Sequence, residues 1–336
     1  MVSSAADKAG SHHVVAIADG GDVAYASPIP FRGHDVIASP DRRSLVCVAR
    51  RPGRELIRLR MSDGEIQAAV SSDVHRHFYG HALFTPDGRY LFTTENDLIT
   101  QQGIVTVRDA DSLRKIETFS SHGIGPHELR WSHGGRFIAV ANGGIATHPD
   151  YGRTPLNVDS MTPNLVLIDP RNGALVKSLQ PRHTKNSVRH IDVLPDNRVF
   201  VAMQQQDRNA ANQHIIGLAS WDNRFNELPM DVADVQALAN YTASVACDAK
   251  TGNAVITAPR GHRVALWHAK QSRFLPSLRL PDAAGVCVDT TRREFVISSG
   301  RGMLYRLDAA TLRLNNESTI RVADFSWDNH LTFLNS

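Results

Sequence analysis

The segment HALFTPDGRYLFTTEND, residues 81–97, decides the fold because it contains two short apolar runs joined by a Pro-Asp-Gly turn. This pattern is typical of two antiparallel strands connected by a tight turn. The segment has relatives along the chain, which begin HDVIASPDRR at residue 34, HELRWSHGGR at residue 127 and HIDVLPDNRV at residue 190. Each of these copies also opens with a histidine, so the chain is built from repeats.

Three weaker copies, at 244–261, 284–302 and, truncated, at 322–336, bring the number of units to seven. Most units span about 40 to 50 residues and contain four strand-like segments, which is the signature of a propeller blade. The second unit shows the four segments best, as HALFTP, RYLFTTE, GIVTVRDAD and RKIETFSS. We therefore predict an all-β, seven-bladed β-propeller in which only residues 232–241 resemble a helix.

The last unit contains only two strand-like segments, ADFSWD and HLTFLN, so other strands must complete its blade. We predict that the N-terminal segments 13–19 and 22–30 supply them, with 13–19 pairing with 330–335. An open ring would expose two sheet edges, and this closure removes them. Residues 13–336 would then form a single domain preceded by a disordered segment at 1–12.

Composition excludes several classes of function. The chain has 37 Lys and Arg against 34 Asp and Glu, a balance that gives no support for nucleic-acid binding. It contains no apolar run of about 18 residues, so no ordinary transmembrane helix is expected. Cys47, Cys247 and Cys287 lie in apolar strand patterns, where a buried free thiol is the usual state. The sequence patterns of a nucleophile elbow, a phosphate-binding loop, a dinucleotide fold and an H-E-x-x-H zinc site are all absent.

The motifs GHALFTPDGRYLFTTEND and SHGIGPHELRWSHGGRFIAVANGGIATHPDYGRTPLNVDSMTPNLVLID resemble the DUF1513 family over essentially the whole chain. These are uncharacterised bacterial propellers related in pattern to YVTN and lactonase-type repeat proteins. The resemblance implies export by a twin-arginine leader and genes beside imelysin-type and di-haem-peroxidase-type proteins of iron acquisition. This sequence shows no such leader, so a periplasmic location and metal-transport or haem/peroxidase-type partners are expectations from the resemblance alone.

Propeller geometry gives the repeated histidines a place. The first strand of each blade lines the central channel, and the loop between the second and third strands emerges on the face where that first strand begins. Alignment of the units on the turn places two successive positions of the first four blades at this mouth: Asp35, His81, Glu128 and His190, and one step earlier His34, Gly80, His127 and Arg189. Because side chains alternate along a strand, a bulge or a pre-strand loop is needed to bring all four histidines inward.

Imidazole and carboxylate groups bind borderline divalent metals, so this mouth is a candidate site for iron or copper, with zinc as a further candidate. The candidate ligands are His34, His81, His127, His190, Glu128 and Asp35. Three alternatives are open: the histidines act as hydrogen-bonding spacers between blades, they serve with Glu128 in a lactonase-like hydrolytic enzyme, or the propeller is a protein-interaction scaffold without a small ligand.

The loops of the same face supply further candidates. The insertion at 143–163 is much longer than an ordinary hairpin loop, and long loops of this kind are usually functional or disordered. We predict that it covers the mouth and brings His148 and Arg153 towards the histidines. Guanidinium groups on this rim would suit an anionic ligand or chelate. The candidate rim residues are His148, Arg153, Arg51, Asn96, Asn142, Asn157, Arg260 and His262.

Overall fold

The computed structural model describes residues 1–207, 210, 213–322 and 324–334. Its strands form seven four-stranded antiparallel sheets, which confirms the seven-bladed β-propeller. One short α-helix, α1 (Val232–Ala237), lies inside the segment expected to be helical. Within these residues no helix is long and apolar enough to span a membrane.

The chain begins with three strands that belong to the last blade, β1 (Val2–Asp7), β2 (His12–Ile17) and β3 (Val23–Ile29). Blades 1 to 3 then follow as successive sets of four strands, namely β4 (Gly33–Ala38), β5 (Ser44–Ala49), β6 (Glu55–Arg60), β7 (Ile66–Ser71), β8 (Arg76–Phe84), β9 (Tyr90–Asp97), β10 (Gly103–Asp109), β11 (Lys115–Ser120), β12 (Pro126–Ser132), β13 (Phe137–Asn142), β14 (Asn164–Ile168) and β15 (Leu175–Leu179).

Blades 4 to 6 repeat the arrangement, with α1 in the connection between blades 4 and 5. Their strands are β16 (Asn186–Val193), β17 (Val199–Gln205), β18 (Ile216–Ser220), β19 (Arg224–Glu227), β20 (Ser244–Cys247), β21 (Ala254–Ala258), β22 (Arg263–His268), β23 (Arg273–Arg279), β24 (Ala283–Asp289), β25 (Glu294–Ser299), β26 (Met303–Asp308) and β27 (Leu314–Arg321). The final strand is β28 (Phe325–Trp327). Short 3₁₀ turns lie at Pro149–Tyr151, Val158–Ser160, Pro259–Gly261 and Ala269–Gln271.

Burial follows the position of each strand in its blade. The second strand of blade 1, SLVCVA in β5, is buried along its whole length, as a continuous apolar run predicts. The outermost strand of that blade, β7, exposes alternate residues to solvent. Apolar side chains fill the space between neighbouring blades: Val46 of blade 1, for example, belongs to the same cluster as Phe78 of blade 2. The core is thus a ring of inter-blade layers around the axis.

The last blade closes the ring with three N-terminal strands and one C-terminal strand, in the order β28-β1-β2-β3. The prediction that N-terminal strands complete the last blade is confirmed. The detail that they supply only two strands, with 13–19 next to the C-terminal segment, is wrong, because β1 lies between β2 and the C-terminal strand. Ala5 of β1 pairs with Trp327 on one side and with His13 on the other. Beyond β28, Thr332 forms an isolated bridge with Val2, and residue 335 lies outside the described residues.

The prediction that residues 1–12 are disordered is also wrong. Residues 2–5 of β1 are buried, and the segment VSSAAD is poor in the large apolar side chains that mark a strand in a sequence. Its small residues fit a crowded place near the axis, where a Cβ atom on Gly33 would lie 2.5 Å from the Ser4 hydroxyl oxygen. The packing at this place therefore requires small side chains in β1.

The first strands of blades 1 to 4 share an irregularity that positions the site. In β4 the pairing moves from Gly33 to Asp35, in β12 from Pro126 to Glu128 and in β16 from Val188 to His190. The register of β8 shifts between Phe78 and Ala82. A bulge of this kind bends the strand and re-aims its side chains. Two consecutive residues of one strand can therefore both reach the axis.

Candidate functional site

Histidines from separate blades meet at the axis. The rings of His34, His81, His127 and His190 come together as predicted, with centroid distances from 4.6 Å between His127 and His190 to 6.5 Å between His34 and His190. A fifth ring, that of His330, lies 4.4 Å from His81 and 4.6 Å from His34. We call these five residues the histidine centre. All are at least 94% buried.

The ring nitrogens are close enough to share an ion. One nitrogen each from His34, His81 and His127 lie within 4.8 Å of one another, and the same holds for His81, His190 and His330. Nε2 of His127 lies 3.3 Å from Nε2 of His190. Two ligands about 2.0 to 2.1 Å from one tetrahedral ion are separated by about 3.3 to 3.4 Å, so this pair already has the spacing of two ligands.

Carboxylates lie behind the histidines. Nδ1 of His81 is 3.0 Å from the Asp35 carboxylate, and Nδ1 of His190 is 3.2 Å from that of Glu128. The other Glu128 oxygen contacts Arg130. Asp35 and Glu128, which we expected as ligands, thus have the contacts of orienting groups. A carboxylate that accepts a hydrogen bond from Nδ1–H fixes the tautomer and leaves Nε2 for a metal.

Burial keeps the histidine centre neutral. It lowers the pKa of His81 to about 3, and it holds the pKa values of the other four well below the ordinary value for histidine. Neighbouring histidines lower the pKa of His127 further, and Arg189 does the same for His190. Neutral imidazole is the form that binds metal ions.

Several nitrogens of the centre have no hydrogen-bond partner among the described residues. They are both ring nitrogens of His34, Nε2 of His81, Nδ1 of His127 and Nε2 of His330. The hydrogen bonds that these side chains form in the described chain run to other side chains, namely to Asp35, to Glu128 and between His127 and His190. None runs to the backbone of a neighbouring blade. Unpaired buried polar atoms are costly, and they require another explanation.

His330 is not among the residues that the sequence predicted, because the histidines predicted as metal ligands all came from the first four blades. The inner strand of this blade is interrupted between Trp327 and Thr332, and His330 lies in the interruption. Asp328 lies beside the ring of His34, with 3.6 Å between Oδ1 and Nδ1. The signal was the Asp328-Asn-His330 sequence, a carboxylate and a histidine close together as in the other units, but the turn proline used for alignment is absent.

A narrow cavity opens above the histidine centre. Its walls include His34, His127 and His190 together with Arg50, Arg51, Arg153, Arg189, Gln204 and Tyr241. A second cavity of about 530 Å³ shares Arg51, Arg153, Gln204 and Tyr241 with it and adds Arg260. We call the two cavities the mouth. The loops expected to converge on one face therefore do so.

The predicted rim residues divide into two groups. Arg51, Arg153 and Arg260 line the mouth, so the insertion covers it through Arg153. His148 lies instead in a separate depression with Asn96.

The remaining rim residues hold loops in place. Asn142 donates to the carbonyl of Ser121, at 2.8 Å. Asn157 accepts from the amide of Ala146 and donates to the carbonyl of Gly144. His262 accepts from the amide of Asp282, at 3.0 Å. These contacts stabilise the loops of this face.

A family model described as "Protein of unknown function (DUF1513)" matches residues 27–334. The chain belongs to the DUF1513 family. No curated protein sequence matches it. Among solved structures, the crystal structure of BamB from Moraxella catarrhalis is similar, with a TM-score of 0.57 and 13% sequence identity over 100% of this chain and 88% of that one. At this identity the likeness concerns the fold alone.

The site of this DUF1513 propeller has a defined chemistry. Its donors are neutral imidazoles, its carboxylates stand one layer behind them, and its mouth is lined by guanidinium groups. Imidazole donors suit iron, copper and zinc, whereas calcium and magnesium require oxygen ligands.

Proposed function

We propose that this propeller binds a transition-metal ion through imidazole nitrogens of the histidine centre. One observation carries the proposal: buried, neutral histidines from five blades bring their ring nitrogens together in two groups of three, each within 4.8 Å, and several ring nitrogens of these histidines have no partner in the described chain. A metal ion would satisfy them, and it would explain why evenly spaced bulges deliver histidines to one point. The paired carboxylates behind His81 and His190 support the same assignment.

The donor set favours iron or copper, with zinc as a competitor, because all three accept imidazole ligands. The physiological setting that we propose is bacterial metal acquisition or homeostasis. This part rests on the family resemblance, as do a periplasmic location and metal-transport or haem/peroxidase-type partners.

Two other functions stay as predictions, a lactonase-like hydrolytic enzyme and a protein-interaction scaffold. Glu128 is the expected acid or base of the enzyme, yet its carboxylate is bonded to His190 and to the amide of Ile191. That engagement favours an orienting role over proton transfer to a substrate.

Metal content tests the proposal directly. The protein is purified without a histidine tag, its metal is quantified by mass spectrometry, and the chelator-treated protein is titrated with Fe(II), Cu(II) and Zn(II). We expect stoichiometric binding of at least one of these ions and a rise in melting temperature.

The matched variants are His127→Ala with His190→Ala, which removes the closest pair of nitrogens, and His148→Ala, which removes a histidine outside the mouth. We expect the double variant to lose the ion and His148→Ala to retain it. A metal-free protein whose melting temperature does not respond to any of the three ions would refute metal binding and favour the scaffold.

A further inference from the structure

Arg189 is buried at the mouth without a partner. It is 1% exposed, and none of its three guanidinium nitrogens forms a hydrogen bond within the described residues. Arg51, 8% exposed, lies over the ring of Tyr79 at 5.4 Å, and its Nη1 also lacks a partner. Buried polar groups are normally hydrogen-bonded, and buried charges are normally paired. Arg189 and Arg51 are exceptions to both generalisations, because each has buried nitrogens without a hydrogen-bond partner and neither is paired with a carboxylate in the described chain.

Their neighbours do not compensate the charge. Arg50, which lines the same cavity, is paired with the carboxylate of Asp328 at 2.9 Å. The other guanidinium groups of the mouth form no ion pair with a carboxylate of the described chain: Arg51, Arg153, Arg189 and Arg260. Arg51 and Arg189 are buried, whereas Arg153 and Arg260 are exposed to solvent at the outer part of the mouth. The described chain therefore places two buried positive charges here without a carboxylate to pair with them.

The electrostatic consequence appears at Tyr241. Burial acts to raise the pKa of Tyr241, yet the surrounding arginines outweigh it and the pKa falls below its ordinary value. The field at the mouth is thus strongly positive, which favours any anion that enters.

The arginine is held in a fixed position. Arg189 is the extra residue of the bulge in β16, immediately before His190. Its guanidinium lies against Gly143, where an added Cβ atom would be 3.2 Å from Cζ. A planar donor group fixed in this way loses little entropy when it binds a carboxylate or a phosphate.

We propose that the mouth is a binding subsite for an oxyanion, a carboxylate or a phosphate, held by Arg189 and Arg51. The oxyanion lies next to His127 and His190, because these residues line the same narrow cavity. The cavity of about 530 Å³ outside it has room for the remainder of a small organic acid. The subsite goes beyond metal binding and does not require a metal to be present.

The test uses the full-length, metal-free protein in a chloride buffer. Calorimetric titration and melting temperature are measured with inorganic phosphate and, separately, with citrate, so that a simple phosphate site is distinguished from a polycarboxylate site. Arg189→Met keeps the volume and removes the charge, and Arg51→Met is the second variant. Arg301→Met, at an exposed position outside the mouth, is the control.

We expect at least one of the two anions to bind and to raise the melting temperature. Each mouth variant should weaken binding at least about tenfold, because a charge-assisted contact is lost. Without anion, Arg189→Met should melt at the same temperature as the parent or higher, since it removes an unpaired buried charge.

Wild-type protein that binds neither anion, or Arg189→Met and Arg51→Met variants that bind as the parent does, would overturn the proposal. A variant that fails to fold would contradict the expected melting behaviour, and the other variant would still report on binding. Because all readings are taken without metal, failure of this subsite is separable from failure of the histidine centre.

Discussion

Nδ1 of His190 lies 3.2 Å from the Glu128 carboxylate, although the two residues belong to adjacent blades. Asp35 and His81 repeat the contact between blades 1 and 2, at 3.0 Å. The inter-blade contact therefore orients the ring as well as joining two sheets. With the proton on Nδ1, the Nε2 lone pair of each ring is directed away from the carboxylate.

Replacement of that carboxylate should weaken metal binding without removing a ligand. We predict that Glu128→Gln lowers metal affinity about 10- to 100-fold, the range usual for groups that orient a metal-binding histidine. Glu117→Gln, an exposed position on β11, is the control. Competition with a chromophoric chelator gives both affinities, and equal values for the two variants would show that Glu128 does not orient His190.

Gly80 should be required for the position of His34. Its φ is +110°, and a Cβ atom there would overlap the His34 ring. Gly10 has a φ of +84° with nothing within 4 Å of an added Cβ atom, so Gly10→Ala measures backbone strain alone. By urea unfolding we predict a loss of about 1 kcal/mol for Gly10→Ala and at least about 2 to 3 kcal/mol for Gly80→Ala. Similar losses in both would mean that the ring moves aside freely.

The metal-free protein should lose stability as the pH falls. The five buried histidines have folded-state pKa values below their unfolded value, so the unfolded chain binds more protons below about pH 6.5. Their stabilising contribution is complete above that pH and declines beneath it. At about pH 5.5 each of these histidines should lower the free energy of unfolding by about 1.4 kcal/mol relative to its value at neutral pH. Urea unfolding at several pH values measures the slope, and a free energy of unfolding that is flat between about pH 7.5 and about pH 5.5 would contradict the neutral assignment.

The three cysteines should be unreactive in the folded protein. Burial raises the pKa of the Cys287 thiol to about 12 and holds those of Cys47 and Cys247 above the ordinary value. All three are free thiols. Because the thiolate is the reactive form, a disulfide reagent at about pH 8 should label the native protein far more slowly than the urea-unfolded chain. Rapid labelling of the native protein would indicate local opening of the strands.

The blades could be predicted because their signals are local. A tight turn between two apolar runs, as at Pro86-Asp-Gly88, is contained in a few residues and recurs at a near-constant period. The alignment of the repeats also predicted that His34 lies one position earlier in its unit than His81. It named a bulge as one of two ways in which both side chains can point inward. The N-terminal strand was not readable, because Ser3 and Ser4 are selected for small size at a crowded place and carry no strand signal of their own.

The rest of the site depends on residues that are distant in the sequence. His330 completes the histidine centre only because β28 enters a blade whose other strands come from the beginning of the chain. Arg189 was visible as a register position, but its lack of a partner is a property of the whole mouth. Residue spacing and composition cannot predict whether a given arginine has a carboxylate as its partner in the folded protein.

The three-plus-one closure of the last blade has a kinetic consequence. His34 and His330 meet only after almost the whole chain has been gathered into a ring, and contacts between such distant residues form late and slowly. A folding intermediate with an unclosed ring would contain well-formed blades and an incomplete ligand set. A metal ion bound at the axis, as proposed above, would therefore stabilise the closed ring and not the open one, because the complete set of ligands exists only after closure.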